Sequence, residues 1–216
     1  IGGLDGQGQK ELLLAMFGVL KGVRGTVDMA GHGLPGSPVA AKSGRPRIAL
    51  IPEDRKTEGL MLPLSIADNL VTAAFDHIAT GGIVDKRRLN LVVEDGIARL
   101  QIKAASVNDP VRTLSGGNQQ KVVIAKWLTT DPDIILMNDP TRGIDIGTKQ
   151  EIFRMMRDLA DGGKSILFYS SDYAELIGCA DRVIVLYDGQ LVRELEGDAI
   201  TEEAIVAASL NIGTAA

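Results

Sequence analysis

Three stretches hold residue types whose spacing could do chemistry on a phosphorylated ligand. The first is Leu114-Ser115-Gly116-Gly117-Asn118-Gln119-Gln120-Lys121. A Ser-Gly-Gly that opens a helix presents a hydroxyl and several backbone N–H groups without intrahelical partners, at the positive end of the helix dipole. That geometry suits a terminal phosphate. A plain N-cap requires Ser115 but neither the two glycines nor the Asn118-Gln119-Gln120 run after them. The second stretch is Gly3-Leu4-Asp5-Gly6-Gln7-Gly8-Gln9-Lys10-Glu11. Its glycine offsets are those of a loop that wraps phosphates with backbone amides and aims a helix N-terminus at them. Such a loop continues with Lys and then Ser or Thr, and here those positions are Gln9 and Lys10. The fixed charge for the phosphates is gone, and so is the hydroxyl for magnesium. Lys10 comes one step late, on a helical turn, and need not point at the phosphates. Losing one charge-assisted contact costs roughly 1.5–3 kcal/mol. Alone, the stretch also reads as a glycine turn before a helix. The third stretch, Ile134-Ile135-Leu136-Met137-Asn138-Asp139-Pro140-Thr141, is an apolar run ending in polar residues shortly after the first stretch.

The chain that must position these residues has 216 of them, enough for one core or one core plus a lobe. Hydrophobic residues make up 45% and charged residues 24%, the balance of a folded domain. A net charge of -5 argues against a general nucleic-acid binder, which carries a basic stripe. It leaves room for a phosphorylated ligand held by backbone amides. The one cysteine, Cys179, allows no disulfide within the chain and points to a reducing compartment; it reads as a small packed residue near a helix end. No apolar run approaches the roughly 18 residues that span a bilayer, and no signal peptide is evident. Work at a membrane would need other chains to do the spanning. A start at Ile1 with chemistry within a few residues suggests a fragment of a longer polypeptide.

Ile1 to Gly3 reads as a strand end entering the glycine turn, and Lys10 to Phe17 as a helix stopped by Gly18. Residues 22–47, rich in Gly and Pro, read as short strands and loops. Arg47 to Ile51 reads as a strand ended by Pro52. Helical pattern follows from Ser65, which can cap a helix through Ala74, to Leu128. Leu89, Val93, Ile97 and Leu100 share one face of a helix over Lys86 to Leu100, and Asn118 to Leu128 is another. Strand-helix alternation then resumes: strands Ile134–Met137, Ser165–Tyr169 and Arg182–Leu186, helices Thr148–Ala160 and Tyr173–Ile177. An Asp188-Gly189 turn leads into Gln190–Arg193. Alternation of this kind means an α/β fold with a mostly parallel sheet flanked by helices. Residues 1–64 and 129–216 would form the core, and 65–128 an inserted helical lobe.

Together the stretches resemble the nucleotide-binding domains of ABC ATPases, over nearly the whole chain. Ile134 to Thr141 resembles that family's Walker B strand, in which an Asp supports magnesium and the next residue, Glu, polarises the attacking water. Pro140 and Thr141 set the register, which places Asn138 at the magnesium Asp and Asp139 at the catalytic Glu. Asn138 is neutral; Asp139 keeps the charge but is one methylene short, where water placement tolerates little error. Gly143-Ile144-Asp145 resembles the D-loop. In Tyr169-Ser170-Ser171-Asp172, Ser171 stands where the family has a switch histidine; the chain's two histidines, His32 and His77, read as surface residues. Glu53 takes the Q-loop glutamine position. Pro52-Glu53-Asp54-Arg55-Lys56-Thr57-Glu58-Gly59-Leu60, with the Asn-Gln-Gln-Lys signature, is similar to the second cassette of bacterial monosaccharide-import ATPases of the ribose/galactose/xylose type, which carry two cassettes in one polypeptide.

The resemblance implies a P-loop NTPase fold of the ABC type, with a small antiparallel sheet partly upstream of Ile1. It implies ATP and Mg2+ as cofactors, with nucleotide contacts at Gly3, Asp5, Gly6, Gln7, Gly8, Gln9, Lys10 and Glu11 and, from the signature, at Ser115, Gly116, Gly117, Asn118 and Gln119. Asn138 and Lys10 fall at the family's magnesium positions, both substituted, so cation and nucleotide would be weakly bound or absent in this domain's own half-site. Asp139, Glu53, Ser171 and Asp145 are the implied catalytic positions. The implied partners are the first cassette of the same polypeptide, in a head-to-tail ATP sandwich; transmembrane permease subunits, docking around Glu53 to Asn69; and, indirectly, a periplasmic sugar-binding protein. No nucleic acid is implied. The implied location is the cytoplasmic face of the bacterial inner membrane. A nucleoside importer ATPase and a non-hydrolysing regulatory module share much of this pattern, and nothing in the sequence reads the sugar.

Overall fold

The computed structural model describes residues 1–24, 27–29, 31–44 and 46–212. Its centre is a parallel sheet of β1 (Ile48–Ile51), β4 (Ile134–Asn138) and β5 (Ser165–Tyr169), in the order β1-β4-β5. Ile48 pairs with Ile134, and Ile134 with Ser165. These strands read as unbroken apolar runs because both faces are covered. Successive side chains point to opposite faces, and β4 shows it: Ile135 and Met137 enter one buried cluster and Leu136 the other. Against Leu136 packs α1 (Gln9–Met16) through Leu13, with Phe17 just beyond it meeting Trp127 edge-on at 5.5 Å between ring centroids. Against the other face pack α6 (Gly116–Leu128) and α7 (Ile146–Asp161).

The chain's first residues lie between β5 and β6 (Arg182–Tyr187). Ile1 N donates to Phe168 O at 2.5 Å, Gly2 N to Ile184 O at 2.8 Å, and Leu186 N to Gly2 O at 3.0 Å. β6 turns back through Asp188 (φ 48°) and Gly189 (φ 72°) into antiparallel β7 (Gln190–Glu196). Two positive φ values make this the turn whose twist matches a hairpin.

The helical stretch holds α3 (Ile66–Val71), α4 (Phe75–Ile78), a small hairpin of β2 (Ala79–Thr80) and β3 (Ile83–Val84), and α5 (Lys86–Leu100) before α6. Asp85 caps α5 by accepting from Arg87 N at 2.8 Å. Val93 and Leu100 are buried, with Leu89 and Ile97 packed beside them, as the helical spacing predicts. Leu70 and Val93 share one apolar cluster with Ile51 and Met137, so helices and sheet have a continuous core.

Some expectations need correction. The region 22–47 contains a helix, α2 (Pro38–Ser43), capped by Ser37 with proline in its first turn; the cap signal was hidden by surrounding glycines and prolines. Gly25, Thr26, Ala30 and Arg45 lie outside the described residues. Ser65 does cap a helix, accepting from Asp68 N at 2.9 Å, but that helix ends at Val71 instead of Ala74. The 79–84 hairpin and a last helix, α9 (Glu202–Ser209), were not anticipated. His32 and His77 are exposed, and Cys179 is the half-buried last residue of α8 (Tyr173–Cys179). No helix among the described residues is long and apolar enough to cross a membrane.

Leu136 is fully buried, so Leu136→Ala should cost about 2–5 kcal/mol. Leu91, 60% exposed on α5, should change stability by no more than about 0.5 kcal/mol as Leu91→Ala. Urea midpoints at unchanged slope would measure both, and similar costs would contradict this packing.

Candidate functional site

Beyond Gly2 the backbone turns through positive φ at Gly3 (130°), Gly6 (78°) and Gly8 (102°), the N-cap of α1. Gly3 is the tightest: a Cβ there would lie 2.5 Å from Leu186 O and 2.7 Å from Gln9 Nε2. Gln9 is only 2% exposed, and its side chain folds into the loop. Its Oε1 accepts from Gln7 N at 3.0 Å and its Nε2 donates to Leu4 O at 2.9 Å. The loop is also tied to the β6–β7 turn, since Asp188 N donates to Gln7 Oε1 at 2.5 Å and Gly189 N to Gln7 O at 3.1 Å. Asp5 and Glu11 are exposed. Lys10 reaches Glu58 at 3.4 Å, an exposed pair of small energetic weight.

The carboxyl ends of β4 and β5 bring Asn138, Asp139 and Ser171 together. Asn138 is buried, and its Oδ1 has no hydrogen-bond partner among the described residues. Asp139 adopts φ 47°, a left-handed conformation that Asp tolerates. Its N donates to Tyr169 O at 2.9 Å, and its Oδ2 accepts from Ser171 Oγ at 2.7 Å. Burial pushes the Asp139 carboxyl above its usual range, against the Ser171 hydrogen bond; the charge of Glu175 adds to the rise. The buried, unpartnered Tyr169 hydroxyl is pushed up to about 12, first by burial and then by the charges of Asp5, Asp139 and Glu53.

Sequence reasoning missed Glu175. Its buried carboxylate accepts from Thr141 Oγ1 at 2.7 Å, Ser170 Oγ at 2.6 Å and Lys149 Nζ at 2.6 Å, joining the exits of β4 and β5 to α7. The available signal was an acidic residue one helical turn after Ser171, beside apolar Leu176. Glu53 is ion-paired with Arg142, which follows Thr141; Arg142 was also missed.

The signature lies apart from the loop. Ser115 caps α6, its Oγ accepting from Asn118 N at 3.4 Å and from Asn118 Nδ2 at 3.1 Å. The N–H groups of Gly116 and Gly117 have no acceptor among the described residues. A Cβ on Gly117 would come within 2.6 Å of Thr148 Oγ1. Asp145 caps α7 through the same threonine, accepting from Thr148 N at 3.0 Å and Thr148 Oγ1 at 2.9 Å; these bonds hold its carboxyl below the usual range. Two signature side chains serve the neighbouring backbone: Asn118 Oδ1 accepts from Lys103 N at 2.9 Å, and buried Gln119 donates to Leu114 O at 3.1 Å. Among the described residues no hydrogen bond or ion pair joins residues 3–9 to residues 114–121. The arrangement therefore offers two separate oxyanion-facing backbones, one folded around its own glutamine and one with unpaired N–H groups at a helix start.

A family model described as "ABC transporter" matches residues 1–142. The chain is 60% identical over 213 residues to the ribose import ATP-binding protein RbsA 1 of Mesorhizobium japonicum, covering 98% of this chain and 41% of that protein. It is 58% identical over 214 residues to the protein of the same name from Rhizobium etli, covering 99% and 42%. The chain thus spans about two fifths of the length of these curated relatives. In fold it is similar to a dimeric ATP-binding cassette solved with ADP and phosphate, at TM-score 0.75 and 23% identity over 90% of this chain and 82% of that one. It is equally similar to a nucleotide-free cassette from an ABC transporter, at TM-score 0.75 and 20% identity over 94% and 82%.

A carboxyl whose pKa rises on folding favours the fold in its neutral form and weighs against it once ionised. Asp139→Asn should therefore raise the melting temperature at pH 7, and the gain should vanish below the ordinary Asp value of about 3.9. Thermal melts at pH 7 and pH 3 would measure this; an equal shift at both would contradict it.

Proposed function

Because the chain belongs to the ABC transporter family, we propose that it is the second nucleotide-binding cassette of an ATP-driven sugar importer, and that its main service is to complete the hydrolytic site of the first. The observation that carries this reading is the side chain of Gln9. It takes the N–H of Gln7 and the carbonyl of Leu4 inside the loop that would otherwise wrap phosphates, while the N–H groups of Gly116 and Gly117 stay unpaired. A phosphate entering the loop would have to displace a buried amide that makes two hydrogen bonds, and it would find no lysine. The donor set near the strand ends also does not fit magnesium, which prefers charged oxygens. Asn138 is neutral, Lys10 replaces a hydroxyl, and the Asp139 carboxylate is engaged by Ser171.

At the signature the fit is better. Nucleotide held by the first cassette would present its terminal phosphate to Ser115, Gly116 and Gly117. The Ser115 oxygen already accepts from Asn118, which leaves its O–H free to donate to that phosphate. The two glycine N–H groups add the positive end of α6. Thr148 buttresses Gly117 and Asp145, which fixes the signature against the D-loop. Residues 65–128 form the lobe that carries it. Exposed Met61 and Leu64 after Glu53 support permease docking around residues 53–69, on the cytoplasmic face of the inner membrane. A periplasmic binding protein would deliver the sugar to that permease.

The test uses the full-length two-cassette protein with its permease. Ser115→Ala and Gly117→Leu should reduce ATPase and uptake by about tenfold or more, whereas Gln9→Ala should leave both near wild type. Equal loss from both kinds of substitution would sink the idea. An intact complex that never hydrolyses ATP would instead favour a regulatory nucleotide-binding module.

A further inference from the structure

One cation stands where its surroundings disfavour it. Arg55 lies on a wide turn, Arg55–Gly59, that is held from both ends. Asp54 caps it by accepting from Lys56 N at 2.8 Å, and Lys126 Nζ donates to Gly59 O at 2.5 Å. Held there, the Arg55 guanidinium packs over the first residue of the signature helix. A Cβ on Gly116 would lie 2.8 Å from Arg55 Nη2, so the glycine is what lets the guanidinium come so close. A positive charge is unfavourable at a helix N-terminus, where the dipole is already positive. An ion-paired carboxylate would offset this, yet Arg55 forms no ion pair among the described residues; the adjacent Asp54 carboxylate acts on it only through space and accepts from Lys56 N. The one hydrogen bond of Arg55 is a long one, 3.4 Å from Nη1 to Arg142 O, and its buried Nε has no acceptor. The neighbouring Glu53 is engaged by Arg142. The guanidinium thus lies against Gly116, at the helix start whose Gly116 and Gly117 N–H groups have no acceptor among the described residues.

We propose that Arg55 contacts the terminal phosphate of nucleotide bound by the first cassette, acting in trans beside Ser115. This rests on the reading that the signature faces that nucleotide. In hydrolysis the water oxygen bonds to the γ-phosphorus, the bond from γ-phosphorus to the β–γ bridging oxygen breaks, and its electron pair leaves on ADP; the water's proton goes to solvent. Arg55 donates N–H to a γ-phosphoryl oxygen throughout and exchanges no proton. Arginine suits this better than lysine, because its planar fork can serve two oxygens and its charge is fixed. Since the first cassette's own loop holds the nucleotide, loss of Arg55 falls mainly on turnover.

The experiment uses the full-length protein in complex with its permease in proteoliposomes. Arg55→Gln leaves a planar, uncharged donor on a shorter side chain; Arg55→Lys keeps the charge. Arg55→Gln should lower ATPase kcat by about tenfold or more with the KM for ATP changed far less, and Arg55→Lys should recover part of the loss. ADP affinity should be unchanged in both. Wild-type kcat in Arg55→Gln, while Ser115→Ala is inactive, would overturn the proposal and leave the signature reading standing. Equal losses in the Gln and Lys variants, with a lowered melting temperature, would mean a packing role and would also overturn it. A fully active Ser115→Ala would overturn the signature reading, and this proposal with it.

Discussion

Everything polar in this chain has to leave the sheet at the carboxyl ends of its strands, because both faces of that sheet are sealed by apolar side chains. Ile135 and Met137 close one side of β4 and Leu136 the other, and all three are inaccessible to solvent. A parallel sheet sealed in this way concentrates function where the strands stop. Asn138, Asp139 and Ser171 sit there because β4 and β5 pair residue for residue up to Asn138 and Tyr169. A slip of one residue would turn Leu136 to the opposite face and carry Asp139 out of reach of Ser171.

Burying charges at that edge is tolerable only with partners. Glu175 has three, and through them it fastens the loops after β4 and β5 to α7. Asp139 has one, Ser171, whose hydrogen bond does not offset burial, so its carboxyl titrates high. Tyr169 and Asn138 have buried polar atoms with no partner among the described residues. The edge of the sheet therefore grades from a fully satisfied ionic hub to under-satisfied groups within a few residues. Such under-satisfaction is expected where a site has been built for another purpose than stability.

The fold was legible where periodicity was strong. The helix at Lys86–Leu100 is legible because apolar residues recur on one face, and the structure adds the Asp85 cap that fixes its start. The strands were legible as runs buried on both sides. The Pro38–Ser43 helix was not, since six residues carry too few apolar positions to show a period and its Ser-Pro start resembles a turn. The site was legible at its glycines and at Ser115, whose types are demanded locally. Glu175, Arg142 and Arg55 were not, because their meaning lies in pairings across 34, 89 and 87 positions of sequence. Asn118 and Gln119 carried a different lesson. Their side chains mark the motif, yet they hold Lys103 and Leu114 in place and so shape the helix start from behind.

The distribution of cations gives the two oxyanion-facing backbones their difference. Phosphate binding wants a fixed positive charge close to backbone N–H groups. At Gly3–Gln9 that charge is absent: Gln9 fills the interior, and Lys10 turns to Glu58. Beside Gly116 stands Arg55, which forms no ion pair among the described residues and feels the Asp54 carboxylate only through space. The first feature is satisfied within the chain, while the second is costly for an isolated domain. An amide buried in a loop forgoes the ligand that loop could hold, and a guanidinium at a helix start repels the dipole beneath it. On the proposed reading, a phosphate brought from outside the chain to α6 would offset the second of these. The asymmetry thus argues for a surface finished by a partner, with the loop closed so that it needs no ligand and the helix start left open so that it does.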